Sequence, residues 1–129
     1  MSRIYTIRKT LFIDNYLFEV VECDRQFGMR CRTHLTNDQL MGEQLYKYAD
    51  TKYGFLFKRC LINRFGDVTG FHKFEAIVWC SPIDTFADRI GIQKSRKAVE
   101  KLIARKKTQI KKFFRTLEKN NLPEGYAVQ

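Results

Sequence analysis

Two apolar-rich runs open the chain, IYTIRKTLFI over residues 4–13 and YLFEVVEC over 16–23, separated by Asp14-Asn15. Short runs rich in Ile, Val, Phe and Tyr read as strands, and both linking residues tolerate the left-handed backbone of a tight hairpin. A two-residue loop sets Leu11 opposite Phe18 and Ile13 opposite Tyr16. Residues 24–35 mix polar and apolar positions around Gly28 and read as a loop or a short irregular strand. From Thr36 onward the period changes. Leu40, Met41, Leu45 and Tyr48 recur at helical spacing behind the capping candidates Thr36 and Asn37, which predicts a helix near 37–49 in spite of Gly42.

A second strand pair is predicted from GFLFKRCLINRF (54–65) and GFHKFEAIVWC (70–80), flanking a turn at Gly66-Asp67. In the first of these, Phe55, Phe57, Leu61 and Phe65 interleave with Lys58, Arg64 and smaller apolar residues, as in a strand with one face buried more deeply. Ser81, Pro82 and Asp84 form a helix-start signal of cap, first-position proline and first-turn acid, and Gly91 is expected to end that short turn. A long helix follows at about 93–120, stopped by Asn120-Asn121 and Pro123, with 122–129 as a short tail. The economical architecture is α+β: a four-stranded antiparallel sheet in β-β-α-β-β-α order with two helices packed on one face, forming one domain over residues 1–121.

The faces of the long helix follow from 100° per residue. Leu102, Ile103, Ile110, Phe113, Phe114 and Leu117 cluster around Val99 as a core-facing stripe. Opposite them lie Lys94, Lys97, Lys101, Arg105, Lys111, Lys112, Arg115 and Lys119, with Ala104 and Thr108 the uncharged members. Lys106 falls in the middle of the apolar stripe, where it either snorkels past an edge, marks a bend or meets a buried acid.

Charge sharpens this picture. The protein carries a formal net charge of +10 over 129 residues. Residues 89–119 hold twelve Lys or Arg against Glu100 and Glu118, so this one segment accounts for the whole excess and the remainder is formally neutral. Like charges at helical spacing cost about 0.2–0.5 kcal/mol per pair. A merely solvated face would intersperse acids to relieve that cost, so the concentration favours a polyanionic partner. Over residues 94–119 such a helix is about 38 Å long, comparable to one turn of duplex DNA.

Catalytic and metal signals are sparse. There are two histidines, His34 and His72, and no motif that marks an activated nucleophile, a glycine-rich phosphate loop or a metal-spaced carboxylate cluster. His72 and His34 with a Tyr and an Arg are the components from which a metal-independent nuclease can be assembled, the third-ranked reading. Cys23, Cys31, Cys60 and Cys80 lack a C-x-x-C pair and read as reduced thiols; Cys23, Cys31 and His34 are the nearest approach to a metal set. No cofactor is expected. The eleven Phe and six Tyr read as core before they read as base-stacking platforms. No run approaches the ~18 apolar residues of a membrane span, and MSRIYTIRKT has no signal-peptide core, so a cytoplasmic protein without membrane partners is expected.

The junction CSPIDTFADRIG (80–91), strand then C-x-P-x-D-x-F-x-x-x-x-G then a basic helix, resembles small uncharacterised proteins encoded by tailed bacteriophages. The resemblance covers about a quarter of the chain and implies a viral accessory protein acting in a bacterial host cytoplasm, with no chemistry attached to Asp84 or Arg89. The stretch GIQKSRKAVEKLIA is similar to the start of the last helix in double-stranded-RNA-binding domains, where first-turn lysines meet phosphates, although the order of elements differs from that fold. The leading functional expectation is non-specific binding of the DNA or RNA phosphate backbone by the eight outward cations. The alternative is an inhibitor or modulator that sets the same face against an acidic host protein.

Overall fold

The Asp14-Asn15 hairpin forms as its sequence predicts. In the computed structural model, which describes residues 5–81 and 87–123, β1 (Thr6–Ile13) and β2 (Tyr16–Cys23) pair antiparallel with Leu11 opposite Phe18 and Ile13 opposite Tyr16. Asp14 takes the left-handed backbone, at φ 55°. A second tight loop, Asp24-Arg25, has φ of 50° and 65°, and it launches β3 (Gln26–Thr36) back along β2. The reading of 24–35 as a loop or a short irregular strand is therefore corrected to a tight turn followed by a long strand paired along β2. Its alternation was obscured because one face of β3 carries Arg30 and Arg32, which are held in ion pairs, while Met29, Cys31 and Thr33 are buried on the other. Gly28 is tolerated within the strand because Trp79 lies against it; a Cβ there would fall 2.7 Å from the indole.

Thr36 caps α1 (Asn37–Tyr46) through a reciprocal box: Gln39 N donates to Thr36 Oγ1 at 3.1 Å, and Thr36 N donates to Gln39 Oε1 at 2.8 Å. The largest correction comes next. GFLFKRCLINRF is not a strand but α2 (Gly54–Phe65), ended by Gly66 at φ 112°. Phe57, Leu61 and Phe65 are four apart, which is helical spacing; Phe57 and Leu61 are buried, whereas Phe55, which suggested strand alternation, is 76% exposed. β4 (Phe71–Trp79) then completes the sheet beside β3, in the order β1-β2-β3-β4. The fold is α+β with a four-stranded antiparallel sheet, as expected, but among the described residues the order is β-β-β-α-α-β-α, with three helices in place of two.

α3 (Asp88–Asn121) begins earlier than the 93 expected, and Gly91 lies inside it instead of ending a preceding turn. Gly91, Ser95 and Val99 form a buried small-residue stripe at four-residue spacing. That stripe lets the helix backbone approach the sheet closely. The helix-start signal at Pro82 and Asp84 lies outside the described residues.

The chain divides into two compact units, Met1–His34 with Lys73–Ile103, and Leu35–His72 with Ala104–Gln129. In the first, the beginning of α3 covers the sheet face that bears Phe18, Val20, Met29 and Cys31, and ion pairs Lys9–Asp88 (2.7 Å) and Arg96–Asp14 (3.0 Å) fasten it. The second is built around aromatic rings. Phe57 meets Tyr48 and Phe114 edge-on at 5.2 and 5.5 Å, Tyr48 stacks on Phe114 at 6.0 Å, and Leu61 and Ile110 are fully enclosed.

Candidate functional site

The inward stripe of α3 holds as predicted: Val99, Ile110 and Phe114 are buried, and Leu102, Ile103, Phe113 and Leu117 are half-buried. Every one of the eight outward cations is exposed. Lys94, Lys97 and Lys101 belong to the first unit, and Arg105, Lys111, Lys112, Arg115 and Lys119 to the second. Among the described residues none of the eight forms an ion pair within 4.0 Å. Lys107, on the border of the apolar stripe, is exposed as well, a cation that the angular reading left out.

The acids of α3 are engaged elsewhere, which explains why they leave this charge uncompensated. Asp88 pairs with Lys9, Glu100 with Arg96 at 3.6 Å, and Glu118 with Lys47 at 2.9 Å. Glu118 also accepts the Tyr48 hydroxyl, and its side chain is only 14% exposed. Two helix cations likewise serve the fold. Arg96 lies over the Tyr16 ring at 4.7 Å, and its hydrogen bond to Asp14, ahead of all other influences, pushes its pKa up. Lys106 sets its ammonium 5.5 Å from the centre of the Phe65 ring, so cation–π packing accounts for a lysine within the apolar stripe.

In the second unit, α1 and the C-terminal part of α3 leave a groove of about 560 Å³. Lys111 and Arg115 form one wall, Glu43 and Gln44 the other, with Phe114 and Tyr46 between. A smaller recess of about 150 Å³ shares Glu43, Gln44 and Lys111 and reaches Gly42 and Lys107. Tyr46 is 54% exposed, and its hydroxyl donates to Asp38 Oδ1 at 3.0 Å, a bond that raises the phenol pKa and pins the ring.

The sheet carries a separate charge cluster that reads as structural. Glu19, with a side chain 5% exposed, receives Arg30 and Arg32, both at 2.8 Å. Arg30 also donates to the Tyr5 hydroxyl at 2.7 Å and lies over that ring, while Tyr5 meets Trp79 edge-on. Among the described residues no group of three His, Cys, Asp or Glu is placed to hold a metal ion. On β3 the three-residue spacing of Cys31 and His34, which looked like a ligand pair, instead directs them to opposite faces of the sheet. His72 sets Nε2 3.3 Å from the Phe65 carbonyl. No helix among the described residues is long and apolar enough to cross a membrane.

No family model, curated protein or solved structure matches this chain.

Proposed function

We propose that this protein binds nucleic acid without strong sequence preference, through phosphate contacts from Lys94, Lys97, Lys101, Arg105, Lys111, Lys112, Arg115 and Lys119. The observation that carries this reading is the division of labour on α3. Its carboxylates and Arg96 are engaged in pairs that hold the fold together, whereas these eight cations are exposed and unpaired among the described residues. Ammonium groups on flexible stems suit phosphates as point charges, and they carry little base discrimination. The likeness of residues 80–91 to bacteriophage proteins suggests a setting for this activity, the cytoplasm of an infected bacterium.

Affinity for generic duplex DNA and for RNA over a salt series tests the reading. Counterion release predicts a steep fall of log affinity with log salt. Reversing Lys97, Lys101, Lys112 and Arg115 to Glu flattens that fall. Absence of binding at low salt sinks the proposal, and capture of an acidic host protein by the wild type, lost in the reversed variant, would put the modulator reading in its place.

A further inference from the structure

We propose that the groove between α1 and the end of α3 takes one unpaired nucleotide of a single strand, so that single-stranded nucleic acid is held more tightly than duplex. This inference rests on the phosphate-binding reading above and names the form of polyanion that the second unit selects. Its first support is size. A volume of about 560 Å³ lies within the roughly 300–1,000 Å³ range of small-molecule sites and has room for one nucleotide.

The second support is the sorting of chemistry across the groove. Lys111 and Arg115 offer charge-assisted donors to a phosphate from one wall, in continuity with the exposed cations of α3. Gln44, an amide with both donors and acceptors, and Glu43, an acceptor, face them from α1 and match the mixed edge of a base. Glu43 forms no ion pair with Lys111 or Arg115 within 4.0 Å, so the two walls are not bridged to each other by these side chains; the Lys47–Glu118 pair, at 2.9 Å, also lines the groove and stays engaged beside the guest. Tyr46, fixed by Asp38, supplies an exposed ring at the groove. A base inside a duplex has its edge occupied and its faces stacked, so entry requires an unpaired base.

Gly42 provides the test. A Cβ there meets nothing within 4 Å, and Gly42 lines the recess that adjoins the groove at Glu43, Gln44 and Lys111. Gly42→Leu therefore adds bulk in the recess beside the groove while improving helix propensity, and retained duplex affinity shows that any loss of single-strand binding is not a loss of folding. Fluorescence anisotropy is measured with a labelled single-stranded oligonucleotide and with the blunt duplex of the same sequence, at one salt concentration. The wild type is expected to hold the single strand roughly tenfold more tightly, the scale of one accommodated base. Gly42→Leu is expected to abolish that difference while leaving duplex affinity unchanged, and Gln44→Ala to reduce it.

Equal affinity of the wild type for both forms overturns the groove and leaves the phosphate reading intact, whereas no binding to either form overturns both. A preference that survives in both variants also overturns the groove. Excess free mononucleotide is added in a final arm. Competition that removes only the single-strand preference supports an unpaired nucleotide as the guest, and a free mononucleotide that binds as tightly as the oligonucleotide overturns the assignment to a strand.

Discussion

Gly91 of α3 rests directly on Met29 of β3: a Cβ on the glycine would fall 2.9 Å from the methionine Cβ. Met29 is wholly buried, and its Cβ is fixed by the strand backbone, so the contact cannot be relieved by swinging a flexible tip. Gly91→Ala is therefore expected to destabilise by about 1–3 kcal/mol, even though alanine favours a helix interior by about 1 kcal/mol. Gly42→Ala, with open space around its Cβ, is expected to stabilise by about 0.5–1 kcal/mol. Urea unfolding of the two variants gives opposite signs if this packing is right, and equal stabilisation by both contradicts it.

Glu19 is the negative centre of the sheet's charge cluster, shared by Arg30 and Arg32. Removing Glu19 leaves Arg32 without its carboxylate and Arg30 with the more distant Glu75, at 3.5 Å, and the Tyr5 hydroxyl. Arg32 already holds a buried Nε with no hydrogen-bond partner, so it has no ready substitute. Glu19→Ala is expected to cost about 3–5 kcal/mol, and Glu19→Gln less, because the amide oxygen still accepts. Denaturant midpoints measure both, and a Glu19→Ala variant as stable as wild type would show that the cluster contributes nothing.

These interactions also show why some elements were legible in the sequence and others were not. The first hairpin was readable to the residue pair because Asp14-Asn15 sets its register locally. The faces of α3 were readable because period and burial agree over the long helix, from Val99 to Leu117. β3 was hidden because its polar alternate positions, Arg30 and Arg32, are paired within the sheet and do not face bulk water. α2 was mistaken for a strand because exposed Phe55 and Leu56 filled in the gaps of a helical repeat. The outward cations could be named from the sequence. The groove beside Lys111 and Arg115 could not, since its opposite wall comes from α1, far away in the chain.

Burial pushes the Cys31 thiol up to about 11 from its ordinary 9.0, with Glu100 acting in the same direction and Arg96 against it. The folded state thus keeps a proton that the unfolded chain releases first. The resulting stability is fully present below about pH 9 and is lost as pH rises through about 11. Between about pH 8 and about pH 10.5 the wild type is expected to lose about 2 kcal/mol more than Cys31→Ala. Parallel pH profiles of the two proteins would refute this account if the alanine variant lost as much. At neutral pH, half-buried Cys60 is expected to alkylate well before fully buried Cys31.

The sharpest test of the basic face is internal to α3, because neighbouring lysines differ only in what they touch. Lys112 is exposed and unpaired among the described residues, whereas Lys106 is half-buried over Phe65. If phosphates bind the outward face, Lys112→Met lowers the log–log salt slope for duplex DNA by about 0.9, the loss of one neutralised phosphate. Lys106→Met leaves the slope unchanged and alters stability by roughly 0.5–1 kcal/mol, the scale of an exposed cation–π contact. Reversal of all four test cations lowers the slope by about 3.6 or more, since each added carboxylate also repels. Glu118→Gln separates charge from location: it raises the formal charge by one and removes the ionic partner of Lys47 inside the second unit, while the amide oxygen can still accept from Tyr48. It is therefore expected to lower stability with little effect on the slope. Equal slopes for Lys112→Met and Lys106→Met would mean that affinity follows total charge, and the division of α3 into binding and structural cations would fail.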